Sequence, residues 1–141
     1  ALSLKLNWDI EAVTVSPDTR HIALAVNEAG VTKLYSFDAI TQTCQPLPGI
    51  PAGVITLGGW HRQQPHLAFT VSSAQATSDV YSYDATTQKC ERWTESELGG
   101  LIASELSQPE AIRWRSFDDR EITGFYYPAH PRFTGKRPVI I

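Results

Sequence analysis

Short stretches of alternating apolar and polar residues recur along the first two thirds of the chain, separated by turns rich in proline, glycine and aspartate. This alternation, with its many β-branched and aromatic residues, predicts short strands buried on one face. Two sets of four strands follow from the pattern. The predicted strands are 12–15, 21–26, 33–37 and 44–47 in the first set, and 54–57, 66–71, 79–83 and 90–93 in the second.

The two sets are copies of one unit. The ten residues from Tyr35 to Cys44 and the ten from Tyr81 to Cys90 are identical at seven positions, and equivalent residues lie 46 positions apart. Four short antiparallel strands in about 40–50 residues is the repeat length of a β-propeller blade. The sequence therefore predicts blades at 1–52 and 53–94. A repetitive β-sandwich is the alternative that the pattern leaves open.

Aspartates mark the turns of this repeat. Pro17 fixes φ for a first hairpin turn, and the Asp18 side chain is suited to bond the backbone of the residues that follow it. Asp38 and Asp84 occupy equivalent places between the third and fourth strands of the two copies. We expect them to form the same kind of turn.

The pattern changes after the repeat, beginning with a connector at 95–110. Thr94 to Glu97 has the S/T-x-x-E form of a capping box, which predicts a short helical turn that Gly99-Gly100 would end. In the last unit, 111–141, alternating residues at 111–117 and 121–127 predict a hairpin. A further strand is predicted from Arg137, because Val139-Ile140-Ile141 is β-branched and apolar like a strand of a parallel sheet.

Three runs of this last part resemble one stretch of a known family. They are L-S-Q-P-E at 106–110, R-W-R-S-F-D-D-R-E-I-T-G-F at 113–125 and P-R-F-T-G-K-R-P-V-I-I at 131–141. Together they resemble the junction of prolyl oligopeptidase family serine peptidases, particularly the acylaminoacyl-peptidase-like branch. There an L-S-x-P-E connector leads to a hairpin around S-x-D-G and then to a K-x-P-V-I strand. Asp119 stands where the family usually has glycine, and aspartate tolerates left-handed backbone better than most residues.

The resemblance implies an all-β fragment with two four-stranded β-propeller blades, then a β-hairpin and the first strand of an α/β-hydrolase domain. The S-P-D turn and the L-Y-x-x-D element of the blades also resemble the family's propeller repeats. In that family an H-G-G-type oxyanion element follows the strand that begins here at Pro138. The G-x-S-x-G serine and the Asp and His of the triad come later. None of these maps onto the chain, so we predict no catalytic residue and no activity for the chain alone.

The other candidate catalytic and ligand-binding residues are interpreted as structural. The histidines lie in turns or at strand starts and do not have the spacing of metal ligands. Asp118-Asp119 lies at a hairpin tip, which offers no pocket that would shift a carboxyl pKa for acid/base catalysis. Gly58-Gly59 lacks the strand-to-helix context of a phosphate loop. Equivalent cysteines of adjacent blades are too far apart to bridge, so two free thiols are expected, with no disulfide, metal or cofactor. The residues concerned are His21, His61, His66, His130, Cys44 and Cys90; Trp60, Trp93 and Trp114 are interpreted as blade and interface core.

The composition of the chain gives no reason to expect nucleic acid or a membrane as a partner. The 12 basic and 15 acidic residues give a net charge of -3, and the small basic group of Arg132, Lys136 and Arg137 is typical of a solvated loop, so nucleic acid is not expected. No run of about 18 apolar residues suggests a membrane helix. Methionine is absent even at position 1, so we expect the chain to begin inside a longer product or to be trimmed.

The functional prediction is a non-catalytic part of a cytosolic serine peptidase of short peptides, and a mature exported form is the alternative for the compartment. Its blades would scaffold the catalytic domain and control substrate access. The expected partners are the earlier blades and hydrolase domain of the same polypeptide, and the parent's peptide substrate. A TolB-like propeller that binds peptides or proteins is the alternative. A third possibility, a complete small protein, predicts self-association through exposed sheet edges.

Overall fold

Two four-stranded antiparallel sheets follow one another along the chain, and a two-stranded hairpin comes after them. The computed structural model describes residues 6–141, so residues 1–5 of the predicted first blade lie outside the described residues. Within each sheet the strands are adjacent in sequence order. The strands are β1 (Asp9–Val15), β2 (His21–Glu28), β3 (Val31–Asp38), β4 (Thr43–Pro46), β5 (Val54–Trp60), β6 (His66–Ser73), β7 (Ala76–Asp84), β8 (Lys89–Arg92), β9 (Glu110–Arg115) and β10 (Glu121–Tyr126).

The predicted all-β fold of two four-stranded blades followed by a hairpin is confirmed. All eight strands of the repeat form where the alternation places them, and each set folds as a four-stranded meander, the topology of a propeller blade. The register repeats as well: Phe37 lies opposite Cys44 in the first sheet, and Tyr83 lies opposite Cys90 in the second. Both cysteines are therefore on the outer strand of their sheet, where each is a half-buried free thiol.

The core lies between the two sheets, where large side chains of one sheet pack against small side chains of the other. On the second sheet, Phe69 and Tyr83 are 1% exposed and point toward the first sheet. The first sheet meets them with Ala23 and Ala25, which are also buried. Small side chains let the two backbones approach closely, and burying one large apolar side chain contributes about 1.5–3 kcal/mol. This interface therefore holds the two blades together.

Trp60 bridges the blades at one end of this core. Its indole Nε1 donates a hydrogen bond to the carbonyl oxygen of Thr14 on β1, 3.3 Å away. The register of β5 against β6 shifts just before Trp60, at Gly58-Gly59. A Cβ on Gly58 would lie 2.8 Å from the carbonyl oxygen of Ala68, so this position has room only for glycine. The glycine pair thus forms an irregularity that lets Trp60 reach the first blade.

The hairpin of β9 and β10 contacts the first blade at the turn between β2 and β3. A Cβ on Gly30 would lie 2.9 Å from the ring of Phe125, and Gly30 has φ of +90°. The glycine is needed both for its backbone conformation and for the close approach of the ring. At the hairpin tip Asp119 has φ of +62°, which confirms that aspartate adopts the left-handed conformation expected there.

Gly30→Ala should loosen the hairpin from the blade, because the Phe125 ring must move away from the new methyl group. Hydrogen exchange of the amides in 110–126 should quicken by about 3–10-fold. Gly49→Ala is the matched control, since Gly49 also has positive φ, at +71°, but a Cβ added to it would meet no atom within 4 Å. Equal exchange in the two variants would show that the hairpin is not held by this contact.

Two predictions for the last third of the chain need correction. The helical turn does not begin at Thr94; a 3₁₀ turn forms instead at Ala103–Glu105, later in the connector. The predicted strand from Arg137 is not paired in the structure, and no strand is assigned after β10 in the described chain. A strand is defined by hydrogen bonds to a neighbour, and the described residues supply none for this segment.

Candidate functional site

The aspartates of the repeat organise its turns, as predicted. Asp38 accepts hydrogen bonds from the backbone N–H groups of Ile40 (2.8 Å) and Thr41 (3.0 Å). Asp84 does the same for Thr86 and Thr87. The backbone N–H of Thr41, followed by the Arg20 guanidinium, lowers the pKa of Asp38 to about 2. These carboxylates are ionised turn formers and are not suited to proton transfer near neutral pH.

A buried carboxylate that the sequence did not single out lies in the second blade. Asp79 on β7 is fully buried, and its Oδ2 accepts a hydrogen bond from Arg92 Nη2 at 2.6 Å. Its Oδ1 accepts from the Ser96 backbone N–H at 2.7 Å and from the Thr94 hydroxyl at 3.1 Å. Burial alone would raise the pKa of Asp79, but the hydrogen bonds from Ser96, Arg92 and Thr94 outweigh it and lower that pKa.

This network ties the connector to the second blade. Thr94 uses its hydroxyl both to reach Asp79 and to accept a hydrogen bond from the Val80 backbone N–H. A hydroxyl engaged in this way cannot cap a helix, which is the physical reason that the predicted turn at Thr94 is absent. Asp79 falls where the first copy of the repeat has Lys33, so this break in the repeat was the signal that could have found it.

Two clefts lie at the boundary between the blades. The first, of about 340 Å³, is formed by the ends of β2, β3 and β7, by β4 and by the turn before β8. The second, of about 690 Å³, lies where the hairpin meets both blades, and Gly30, Gly53, Gln75, Gln108 and Phe125 are among its walls. The first cleft has a mainly polar wall, and the second is mainly apolar.

The histidines have local roles in the described structure. His61 and His130 accept hydrogen bonds from backbone N–H groups of the residues that follow them. His66 Nε2 lies 3.9 Å from Asp84 Oδ2, but that carboxylate is already occupied by its turn. His21 is the exception, because it lines the first cleft and its ring centroid lies 6.5 Å from that of Trp60. The structure does not bring these four residues together.

The tryptophans differ from the core placement expected for all three. Trp60 does lie at the interface between the blades, but Trp93 is 63% exposed and Trp114 is 49% exposed. Each is on a sheet face that no other described element covers. Trp93 Nε1 donates a hydrogen bond to Ser82 Oγ at 2.8 Å, which fixes its ring on the outer face of the second blade.

Within residues 6–141 no group of three or more His, Cys, Asp or Glu side chains is arranged to hold a metal ion. No helix of the described chain is long and apolar enough to cross a membrane. The groups that the structure does bring together are hydrogen-bonding side chains in a cleft and ion pairs that fix turns. Among the described residues, the hydroxyls of Ser16 and Thr87 pair with the carboxylates of Asp18 and Asp84, and both pairs belong to turns.

No protein-family model matches the chain, and no curated protein matches it in sequence. Solved structures do match. Prolyl oligopeptidase B from Galerina marginata, as the apo protein, superposes with a TM-score of 0.68 at 14% identity, over 86% of this chain and 17% of that chain. The same enzyme bound to a 35-residue hydrolysis and macrocyclization substrate gives 0.68 at 14% identity, over 84% and 17%.

A structure from a study of two prolyl endopeptidases and their inter-domain dynamics matches with a TM-score of 0.66 at 14% identity, again over 84% of this chain and 17% of that chain. Identities this low establish the fold alone. These matches confirm the resemblance to prolyl oligopeptidases for the propeller fold. The chain has the fold of a propeller-blade segment of the prolyl oligopeptidases, and it spans about a sixth of their length.

Proposed function

We propose that this chain is the junction between the propeller and the catalytic domain of a cytosolic serine peptidase of the prolyl oligopeptidase family, in its acylaminoacyl-peptidase-like branch. The parent enzyme hydrolyses short peptides. The blades scaffold the catalytic domain and restrict access to it by size. The observation that carries the proposal is the coincidence of two independent likenesses: the blade fold of the prolyl oligopeptidases and the junction motifs from L-S-Q-P-E at 106–110 onward.

The exposed face of the hairpin supports a larger polypeptide around it. Trp114 lies directly opposite Ile122, and both belong to one face together with Ile112. All three are at least a third exposed, as are Phe117 at the tip and Val139 beyond the hairpin. The other face carries the ion pair between Arg113 and Glu121 and the Phe125 contact with the blade. Soluble proteins rarely leave a contiguous apolar face open, so this one suits a covering sheet or helix of a catalytic domain.

In this proposal the chemistry belongs to the rest of the polypeptide. A triad needs a serine, a histidine that takes its proton, an acid that orients the histidine, and an oxyanion hole. None of the serines in this sequence is in the G-x-S-x-G context that exposes a nucleophile in an α/β-hydrolase. The contribution of the described residues is therefore placement: the Asp79 network fixes the connector, and the Phe125 contact fixes the hairpin that leads onward.

The proposal is tested by labelling the native product that contains this chain with a fluorophosphonate, which reacts with activated serines. We expect one labelled serine outside these 141 residues, together with turnover of N-acylated peptide nitroanilides. The separate chain of 141 residues should show neither. A native product that binds peptides but is not labelled would contradict the peptidase proposal and favour a TolB-like binding propeller.

A further inference from the structure

The smaller cleft between the blades is lined by both polar and apolar residues. Its lining includes hydrogen-bonding residues from both blades: His21, Ser36, Asp38, Thr43 and Gln45 from the first, and Tyr83 and Gln88 from the second. Ser36 and Gln45 are direct partners across β3 and β4, so their side chains share the face that looks toward the second blade. The lining also includes the apolar residues Pro46, Leu47, Pro48 and Ala85.

Tyr83 is the residue that points to a ligand. It is 1% exposed and packs in the core between the blades, yet it also lines the cleft. Every fully buried polar side-chain atom of the described residues has a hydrogen-bond partner, and the Tyr83 hydroxyl makes no bond to any of these residues. The hydroxyl therefore reaches the cleft surface. Burial, and then Asp84 and Cys90, raises the pKa of Tyr83, so the phenol remains a donor near neutral pH.

Charge in the cleft is already compensated. Its carboxylate, Asp38, is paired with Arg20 at 2.9 Å and accepts two backbone N–H groups as well. Neither lysine nor arginine is among the described residues of its lining. A phosphate or carboxylate would find no lysine or arginine in this lining, where His21 is the only basic residue, and a cation would have to compete with Arg20 for Asp38. The lining therefore favours an uncharged ligand.

We propose that this cleft binds the uncharged amide unit of a short peptide, with the Tyr83 hydroxyl and the Gln45 and Gln88 side chains bonding the amide. A peptide unit has one N–H and one C=O in a plane, flanked by apolar carbons. It can place its polar edge on Tyr83 and the glutamines and its carbons against the prolines and Leu47. A sugar has hydroxyls all round and would leave some of them unpaired against Pro46 and Leu47. The site takes no part in hydrolysis, and its test does not depend on the peptidase assignment.

The experiment is an NMR titration of the full chain with N-acetyl-alanine methylamide. A neutral ligand of about 10 heavy atoms is expected to bind with a millimolar dissociation constant. Saturable shifts should be confined to the cleft, at Ser36, Gln45, Tyr83 and Gln88. Tyr83→Phe removes only the hydroxyl and keeps the core ring, and it should weaken binding by about 3–10-fold. Gln45→Ala should weaken it similarly.

Tyr81→Phe is the matched control. Tyr81 lies two residues earlier on β7 and so on the same face, where its ring stacks on Phe69 with centroids 5.8 Å apart, but it does not line the cleft. Its loss should leave binding unchanged. Absence of saturable shifts, or equal affinity in Tyr83→Phe and the unsubstituted chain, would overturn the proposal. Stronger binding of glucose than of the amide at the same residues would overturn the ligand class.

Discussion

Phe69→Ala should lower the free energy of unfolding by about 3–5 kcal/mol, as expected when a fully buried phenylalanine is truncated and leaves a cavity. Phe69 belongs to the buried cluster between the blades, together with Ala23 and Ala25 of β2, and its ring stacks on Tyr81. Since domains of this kind are stable by only about 5–15 kcal/mol, the variant should be largely unfolded in mild denaturant. Urea denaturation followed by circular dichroism measures the loss.

Two controls make this result specific to the core. Val54→Ala removes an apolar side chain that is mostly exposed, and it should change stability by no more than about 0.5 kcal/mol. Phe69→Leu keeps most of the volume and should cost about 1 kcal/mol. A loss below about 1 kcal/mol for Phe69→Ala would mean that the blades are not held by the interface described here.

Asp79→Asn should lower the melting temperature by about 10 °C, because it leaves the Arg92 guanidinium beside a neutral group and weakens the bonds to Thr94 and Ser96. The connector should be released as well, so hydrogen exchange of 94–98 should quicken. Asp119→Asn is the control. That carboxylate is exposed, and its ion pair with Arg115, at 3.7 Å on the surface, should contribute little to stability. Equal melting temperatures in the two variants would contradict a structural role for Asp79.

The same network gives the sign of the pH dependence. The pKa of Asp79 in the folded chain is lower than the 3.8 of an unperturbed aspartate. Its stabilisation is therefore complete above about pH 5 and is lost as the pH falls through 3.8 and below. The gap in melting temperature between the unsubstituted chain and Asp79→Asn should shrink over that range, while a gap that widens in acid would contradict the assignment.

The strands and turns were predictable from sequence because they repeat. Phe37 and Tyr83 occupy the same place in two copies, and each is followed at once by an aspartate that closes a turn. Alternation fixes which face of a strand is buried, and a repeat doubles the number of residues that test the assignment. The hairpin around Asp119 lies outside the repeat and followed from alternation alone, while its left-handed backbone was expected from the glycine that the resembling family has at this position.

Long-range hydrogen bonds were not predictable in the same way. Thr94 and Glu97 have the spacing of a capping box. Local spacing does not reveal that the Thr94 hydroxyl instead donates a hydrogen bond to Asp79, 15 residues earlier. Nor does the sequence show that Trp93 and Trp114 lie on open faces, since an aromatic residue in a strand is usually buried. For Thr94 a tertiary hydrogen bond outweighed the local pattern, and for the two tryptophans no described element covers the face on which they lie.

The candidate cleft depends on contacts between the blades. Ser36 and Tyr83 are ordinary strand residues in sequence, and they reach one cleft only because the first blade packs small residues against the large ones of the second. By its burial Tyr83 is a core residue. The position of its unpaired hydroxyl in a cleft follows only from the packing of the two blades, which the sequence does not show.

The central claim is that these blades lead into a serine peptidase domain, and the coding sequence that follows Ile141 tests it most directly. The proposal predicts an H-G-G-type element immediately after the Val139-Ile140-Ile141 segment, followed by a G-x-S-x-G motif. A stop codon directly after Ile141, or an extension without either motif, would contradict the claim.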